Sequence, residues 1–208
     1  VAGTELERFG KGEVYVKRQV DGWSARYRKA RTHGVRHGTG SFEKVMAWLD
    51  EHQPHDVGNC LIHNDFRFDN LVLAHDDPTR VIGVLDWEMA TLGDPLMDLG
   101  GALAYWVQAD DDRIMRGSRR QPTHAPGMLT RDEVWQYYAH ASGRAISPKD
   151  QLFYEIFGLF RLAVIAQQIY YRYANGQTSN PAFKQFRGMV IYLEWRCRRL
   201  MRRAGRLS

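Results

Sequence analysis

Apolar residues recur at intervals of three and four over most of the chain, and give way to short continuous runs only between residues 60 and 85. Within residues 14–31, Val16, Val20, Trp23 and Tyr27 share one helical face amid many Arg and Lys, and Gly34, Gly38 and Gly40 end that helix in a loop. Ser41 reads as the cap of a short helix carrying Phe42, Val45, Met46 and Leu49 on one side, broken by Pro54 and Gly58. The runs Cys60-Leu-Ile-His63, Leu71-Val-Leu-Ala74 and Val81-Ile-Gly-Val-Leu85 predict strands, the last two joined through Asp76-Asp-Pro-Thr79. A helix is expected over residues 95–107, then a Gly/Pro/Arg-rich loop to about residue 128. Thr130-Arg-Asp-Glu133 is a capping box for a helix ending near Gly143. Ser147-Pro148 opens a helix that stays apolar on most faces as far as Asn175-Gly176, which predicts a buried central helix. Asn180-Pro181 starts the last helix, to about Ala204. The pattern predicts an α+β fold, mainly α, with one small antiparallel strand group.

Composition narrows the class. A chain of 208 residues, 44% hydrophobic and 12% aromatic, can bury a core, which excludes wholesale disorder. No apolar run reaches about 18 residues, so no membrane-spanning helix is expected. Residues 1–18 are charged throughout, unlike a secretory signal. Cys60 and Cys197 are too few for a disulfide framework and lack metal-ligand spacing; they read as buried, unreactive thiols, with the reducing cytoplasm as the expected location.

Charge is unevenly placed. Residues 1–59 carry ten Lys/Arg against eight Asp/Glu, a net of +2. Residues 60–112 carry only Arg67 and Arg80 against eleven carboxylates, a net of −9, and residues 113–208 carry seventeen basic against five acidic residues, a net of +12. A carboxylate-dense block inside a basic chain calls for neighbouring cations, protein or bound, so the chemistry is sought there first. Within it, Asp76, Asp77 and Asp110 to Asp112 read as solvated loop charge. The arginines Arg196, Arg198, Arg199, Arg202, Arg203 and Arg206 read as a solvated face that meets the negative end of a helix dipole. They lack the aromatic interleaving of single-strand binders, so no nucleic-acid partner is expected. Trp87, Trp106, Trp135 and Trp195 read as packing residues.

Two motifs occupy the acidic block. His63-Asn64-Asp65-Phe66-Arg67-Phe68-Asp69-Asn70 fills the turn between the first two strands, and Asp86-Trp87-Glu88 ends the third. A loop carboxylate, an amide oxygen five residues on and a carboxylate on the next hairpin can meet at one point. Asp and Asn oxygens suit a hard divalent cation such as Mg²⁺, which takes few protein ligands and completes its shell with phosphate and water. Asp65 is then free to accept a proton from a hydroxyl nucleophile.

His-x-Asp-x-x-x-x-Asn followed by Asp sixteen residues later resembles the kinase-like phosphotransferases. The closer resemblance is to the aminoglycoside and choline kinase-like superfamily, whose second motif reads Asp-Trp-Glu where protein kinases have Asp-Phe-Gly. The run Val84-Leu-Asp-Trp-Glu-Met-Ala-Thr-Leu-Gly-Asp-Pro-Leu-Met-Asp-Leu99 is similar to that family, nearest to the phosphotransferase domains related to those fused to some acyl-CoA dehydrogenases. The resemblance is strong over residues 60–105 and weaker from 14 to 200. It implies a protein-kinase-like C-terminal lobe whose strand group carries the catalytic and metal loops. It implies Asp65 as catalytic base, Arg67 as a cation for the transferring phosphoryl group, and Asn70 and Asp86 as ligands of Mg²⁺ and hence of ATP, with GTP left open. His63 and Asp98 would support the catalytic loop. Glu88 would touch the metal or pair with an arginine, and Asp69 would be solvated or stabilise the loop.

The chain departs from the family in having Asn64 where glycine is usual, a residue that also tolerates left-handed geometry. No Gly-rich phosphate loop and no strand lysine paired with a helix glutamate precede residue 60. The resemblance therefore assigns residues 1–59 to a helical segment joining two lobes and residues 60–208 to the C-terminal catalytic lobe, with the N-terminal nucleotide lobe missing. The expected function is transfer of the γ-phosphoryl group of ATP to a small-molecule hydroxyl, this chain alone being inactive or weakly active. The alternative is a non-catalytic kinase-like binding or regulatory module. The +12 over residues 113–208 suits a neutral or anionic acceptor, such as a CoA thioester or phosphorylated metabolite, better than a polycation. A homodimer through the uncovered interlobe face is expected, and no membrane partner.

Overall fold

In chain order the regular elements are α1 (Tyr15–Lys29), α2 (Glu43–Glu51), β1 (Cys60–Ile62), β2 (Leu71–Leu73), β3 (Val81–Val84), β4 (Thr91–Gly93), α3 (Pro95–Leu103), α4 (Arg113–Gly117), α5 (Arg131–Ser142), α6 (Pro148–Ala174) and α7 (Phe186–Ala204). They come from a computed structural model that describes residues 3–10, 14–31 and 41–205. The chain divides into two compact units, Val1–Glu13 with Asp56–Ile146 and Val14–His55 with Ser147–Ser208. The fold is mainly helical with short antiparallel strands.

The second unit is organised by α6. Ser147 Oγ accepts the Asp150 N–H at 3.1 Å, and Pro148 supplies a preset φ at the first helical position. Phe153, Tyr154, Ile156, Phe157, Phe160, Ala163 and Val164 are buried around most of its circumference. By length and composition alone α6 could cross a membrane, contrary to the expectation from the sequence that no apolar stretch is long enough. Glu155, Arg161, Gln167 and Gln168 interrupt the run without ending the helix. Its apolar faces are covered by α1, α2 and α7, and the rings of Tyr27, Phe42 and Phe160 meet there at centroid distances of 5.0, 5.5 and 6.2 Å. Burial, with the Glu194 carboxylate adding to it, pushes the Tyr27 hydroxyl well above its ordinary pKa.

Ser41 does not cap α2. The residue before the helix is Phe42, left-handed at φ 50°, and its N–H is taken by Glu194 Oε1 of α7 at 3.2 Å. A buried ring and a carboxylate 152 residues away thus decide where α2 starts. Gly34, Gly38 and Gly40 lie outside the described residues.

In the first unit the expected single strand group is two separate ribbons. β1 pairs with β4 (Cys60↔Gly93, Ile62↔Thr91), and β2 with β3 (Leu71↔Val84). β4 has three residues and no alternation, which is why the sequence pattern missed it. α3 is shorter than expected: Tyr105 and Trp106 leave it through turns onto Ala102 O and Leu103 O. The loop after it contains α4, capped by Asp112, whose side chain accepts the N–H groups of Ile114 and Met115. The capping box of α5 forms, with Glu133 N–H to Thr130 Oγ1 at 3.2 Å and Thr130 N–H to Glu133 Oε2 at 2.7 Å, and Gly143 ends the helix at φ 65°. Trp135 is buried and Trp106 half-buried, whereas Trp87 and Trp195 lie exposed.

Because Phe160 is fully buried between two rings, Phe160→Ala is expected to cost about 3–5 kcal/mol of unfolding free energy by urea denaturation, against about 0.5 kcal/mol or less for Tyr137→Ala, whose side chain is exposed.

Candidate active site

The two motifs lie together in the first unit, in the turn from β1 to β2 and in the residues just after β3. Their support starts at α3. Asp94, fully buried, accepts Leu96 N–H and Met97 N–H at 2.8 and 3.2 Å, closing the helix N-terminus, and with its other oxygen accepts Val57 N–H at 2.7 Å. Burial pushes its carboxyl above the ordinary range, against the three N–H groups that hold it down. One turn on, Asp98 accepts the N–H of His63 at 2.7 Å and of Asn64 at 2.8 Å. A single carboxylate thereby fixes two successive peptide units at the entrance of the loop.

His63 is buried. Its Nδ1 accepts the Asp65 N–H at 3.2 Å and its Nε2 lies 2.8 Å from Leu85 O, two bonds satisfied together by the tautomer with the proton on Nε2. The imidazole thus joins the loop to the end of β3, with the Trp87 ring packed on it at 4.8 Å. Asn64 takes φ 65°, and its Nδ2 donates to Met89 O at 3.0 Å. The left-handed turn that glycine usually makes is here made by asparagine, with a side-chain bond as compensation.

Asn70 closes the loop from its far end. Its buried amide nitrogen donates to Asp65 O at 2.8 Å, and its own carbonyl accepts the Leu85 N–H at 2.8 Å. Asp65 is half-buried. Arg67 Nε stands 3.5 Å from Asp65 Oδ1, its Nη2 3.7 Å from Asp69 Oδ2, and its guanidinium lies over the Tyr105 ring at 5.1 Å. Direct bonds therefore gather His63, Asn70, Leu85 and Asp98, and Arg67 links to Asp65 by charge. Asp86 stands next to Leu85 along the chain. It is exposed and left-handed at φ 66°, and its carboxylate has no hydrogen-bond or ion-pair partner among the described residues. A non-glycine residue held there costs free energy, which here keeps an acidic side chain turned out of the regular ribbon. Glu88 is likewise exposed, with no ion pair among the described residues. No group of three His, Cys, Asp or Glu suited to a metal occurs among the described residues, so the acidic block is not a self-sufficient metal cage.

Several contributors were invisible in the sequence. Tyr105 lies under Arg67, Trp106 meets Phe68 edge-on at 5.3 Å, and Gln121 accepts the Phe68 N–H at 2.8 Å from 53 residues away. Asp111, read as solvated, is buried and bidentate to Arg131 at 2.7 and 2.8 Å. Asp76 does lie exposed, paired with Arg80 at 2.8 Å. Cys197 is buried, and Cys60 is half-buried with burial raising its thiol pKa against the lowering effect of Arg144.

This arrangement of a polar loop between short antiparallel strands, braced by helices, is that of the kinase-like phosphotransferase fold. A chain from Ralstonia eutropha assigned as an aminoglycoside phosphotransferase superimposes with a TM-score of 0.73 at 29% identity, over 93% of this chain and 58% of that one. Over residues 1–134 the sequence matches the phosphotransferase enzyme family, and the chain belongs to that family. It is also 38% identical over 184 residues to mouse acyl-CoA dehydrogenase family member 10 and 34% identical over 193 residues to human acyl-CoA dehydrogenase family member 11. It aligns with 88% and 91% of its own length but spans only 16% and 24% of those proteins.

Three substitutions at two positions check the loop's framework. Asp98→Ala, which strands the N–H groups of His63 and Asn64, is expected to lower stability by about 2–4 kcal/mol. Asn64→Gly should be nearly neutral, while Asn64→Val should cost about 2 kcal/mol or more through left-handed strain and the lost Met89 bond. Chemical denaturation of the three variants beside the parent measures both.

Proposed function

We propose that this chain carries the catalytic loop of an ATP- and Mg²⁺-dependent phosphotransferase that phosphorylates the hydroxyl of a small molecule. The observation that carries the reading is the hydrogen-bonded circuit Asp65–Asn70–Leu85, which ties the loop of the base to the residue beside Asp86. Phosphoryl transfer needs positioning and charge stabilisation more than covalent chemistry, and a circuit of this kind supplies the positioning.

The donor set fits a hard divalent cation. Asn70 has its amide nitrogen committed to Asp65, so Oδ1 is the atom it has to offer, and the Asp86 carboxylate is unclaimed among the described residues. Two protein oxygens with the remainder from phosphate and water is how Mg²⁺ is commonly held. When bound, the cation neutralises charge on the nucleotide's β- and γ-phosphates. Asp65 orients the acceptor hydroxyl and takes its proton. Arg67, held between Asp65 and Asp69 and backed by Tyr105, offsets negative charge on the transferring group. The acceptor is neutral or anionic: Arg113, Arg116, Arg119 and Arg120 are all exposed and have no ion pair among the described residues, a poor setting for a polycation.

The division of roles sets the test. In the complete enzyme that carries this chain, Asp65→Asn should lower ATP-dependent phosphorylation of a panel of hydroxylated acceptors by about a hundredfold or more, with Mg·ATP affinity by calorimetry within about threefold of the parent. Asp86→Ala should weaken both. Equal loss of nucleotide affinity in the two variants would refute the assignment. Mg·ATP binding with no transfer to any acceptor, in the parent and the variants alike, would favour the non-catalytic module.

A further inference from the structure

Phe68, Asp69 and Asn70 form a single 3₁₀ turn inside the candidate catalytic loop. Such a turn leaves its first N–H, that of Phe68, without a partner inside the turn, and a capping side chain at the preceding position reaches the second or third N–H rather than the first. Arg67 occupies that position, is extended at φ −148°, and gives no capping bond; an arginine has no acceptor to give. The N–H is satisfied from outside the loop, by Gln121 Oε1 at 2.8 Å. Gln121 is itself buried, at 6% exposure, though it lies in a loop between two helices.

That loop is stiff before it reaches the site. Thr123 exchanges two bonds with Val107, accepting its N–H at 3.0 Å and donating Oγ1–H to its carbonyl at 2.9 Å. Arg131 grips both oxygens of Asp111 and also donates to Trp106 O at 2.7 Å, while its own N–H goes to Gln108 Oε1 at 2.7 Å. The indole N–H of Trp106 donates to Leu129 O at 2.9 Å, and the Trp106 ring packs on Phe68.

We propose that Gln121 is a positioning residue for phosphoryl transfer: by capping the Phe68 N–H it sets the spacing between Asp65 and Asn70, and so couples the loop of residues 105–131 to catalysis. The proposal rests on the phosphotransferase reading. Asn70 Nδ2 pulls on the Asp65 carbonyl from one side of the turn and Gln121 holds the Phe68 amide from the other. With the second tether gone, the turn can shift Asn70 relative to Asp65 while the rest of the fold stays in place. Gln121 touches no reacting group; its effect runs through the backbone it holds.

The test compares Gln121→Leu, which removes the acceptor, with Gln121→Glu, which keeps a carboxylate oxygen where Oε1 stands. Three measurements are made on each: amide hydrogen exchange at Phe68, Mn²⁺ affinity as a stand-in for Mg²⁺, and kcat and KM for ATP-dependent phosphorylation. Gln121→Leu should speed Phe68 exchange by about tenfold, weaken Mn²⁺ binding and lower kcat by about tenfold or more with acceptor KM little changed. Gln121→Glu should restore all three to within about threefold of the parent. A variant that loses thermal stability yet keeps kcat and Mn²⁺ affinity would overturn the positioning role, as would failure of Gln121→Glu to rescue. The kinetics are measured in the complete enzyme that carries this chain; if that enzyme transfers phosphate to no acceptor, the phosphotransferase reading falls and the catalytic meaning of the tether with it. Phe68 exchange and Mn²⁺ affinity then still decide whether Gln121 holds the loop, separately from activity.

Discussion

The geometry of the candidate site depends on one carboxylate that performs no chemistry. Asp98 takes the N–H groups of two consecutive residues, and those two peptides lead directly into the loop that presents Asp65. Without that grip the entrance of the loop loses two backbone anchors, and only the bonds of His63, Asn70 and Gln121 further along are left to hold its path. Asp98 is itself carried by a helix whose start is fixed by Asp94, and Asp94 reaches back to the chain just before β1. Support thus passes from helix to loop through hydrogen bonds to backbone, which hold position without taking side chains away from function.

The same economy operates on the opposite side of the loop. His63 spends both ring nitrogens on the frame, one on the loop itself and one on the end of β3. Asn70 spends its amide nitrogen and its carbonyl similarly and retains one oxygen. Asp86 is left over, strained in backbone and unpartnered in side chain among the described residues, the usual condition of a group kept for a ligand.

How much of this was legible in the sequence varies with the range of the interaction. The α5 capping box, the Ser147-Pro148 start of α6 and the left-handed tolerance of Asn64 depend on neighbours within a few residues, and the structure has each of them. The start of α2 did not follow local rules, because Glu194 and the packing of Phe42 outweigh the cap that Ser41 offers. β4 was hidden by brevity, and α4 by the glycine and proline around it. Gln121, Tyr105 and Asp111 could not have been found: a glutamine in an Arg-rich loop carries no pattern, and what gives it a task is a partner 53 residues away. Asp111 looked solvated only because Arg131, its counter-charge, is also distant in sequence.

The second unit is discontinuous in sequence, and this bears on how the protein is made. α1 and α2 leave the ribosome early, but the faces they bury belong largely to α6 and α7, which arrive about a hundred residues later. The intervening residues, with the segment Val1–Glu13, form a unit of their own, which can gain structure during translation while α1 and α2 wait with their apolar sides uncovered. This half of the molecule, then, condenses only after α6 and α7 have emerged. A nascent chain interrupted before Phe186 presents α2 and the long α6 without the cover of α7, which is the kind of surface that holdase chaperones bind.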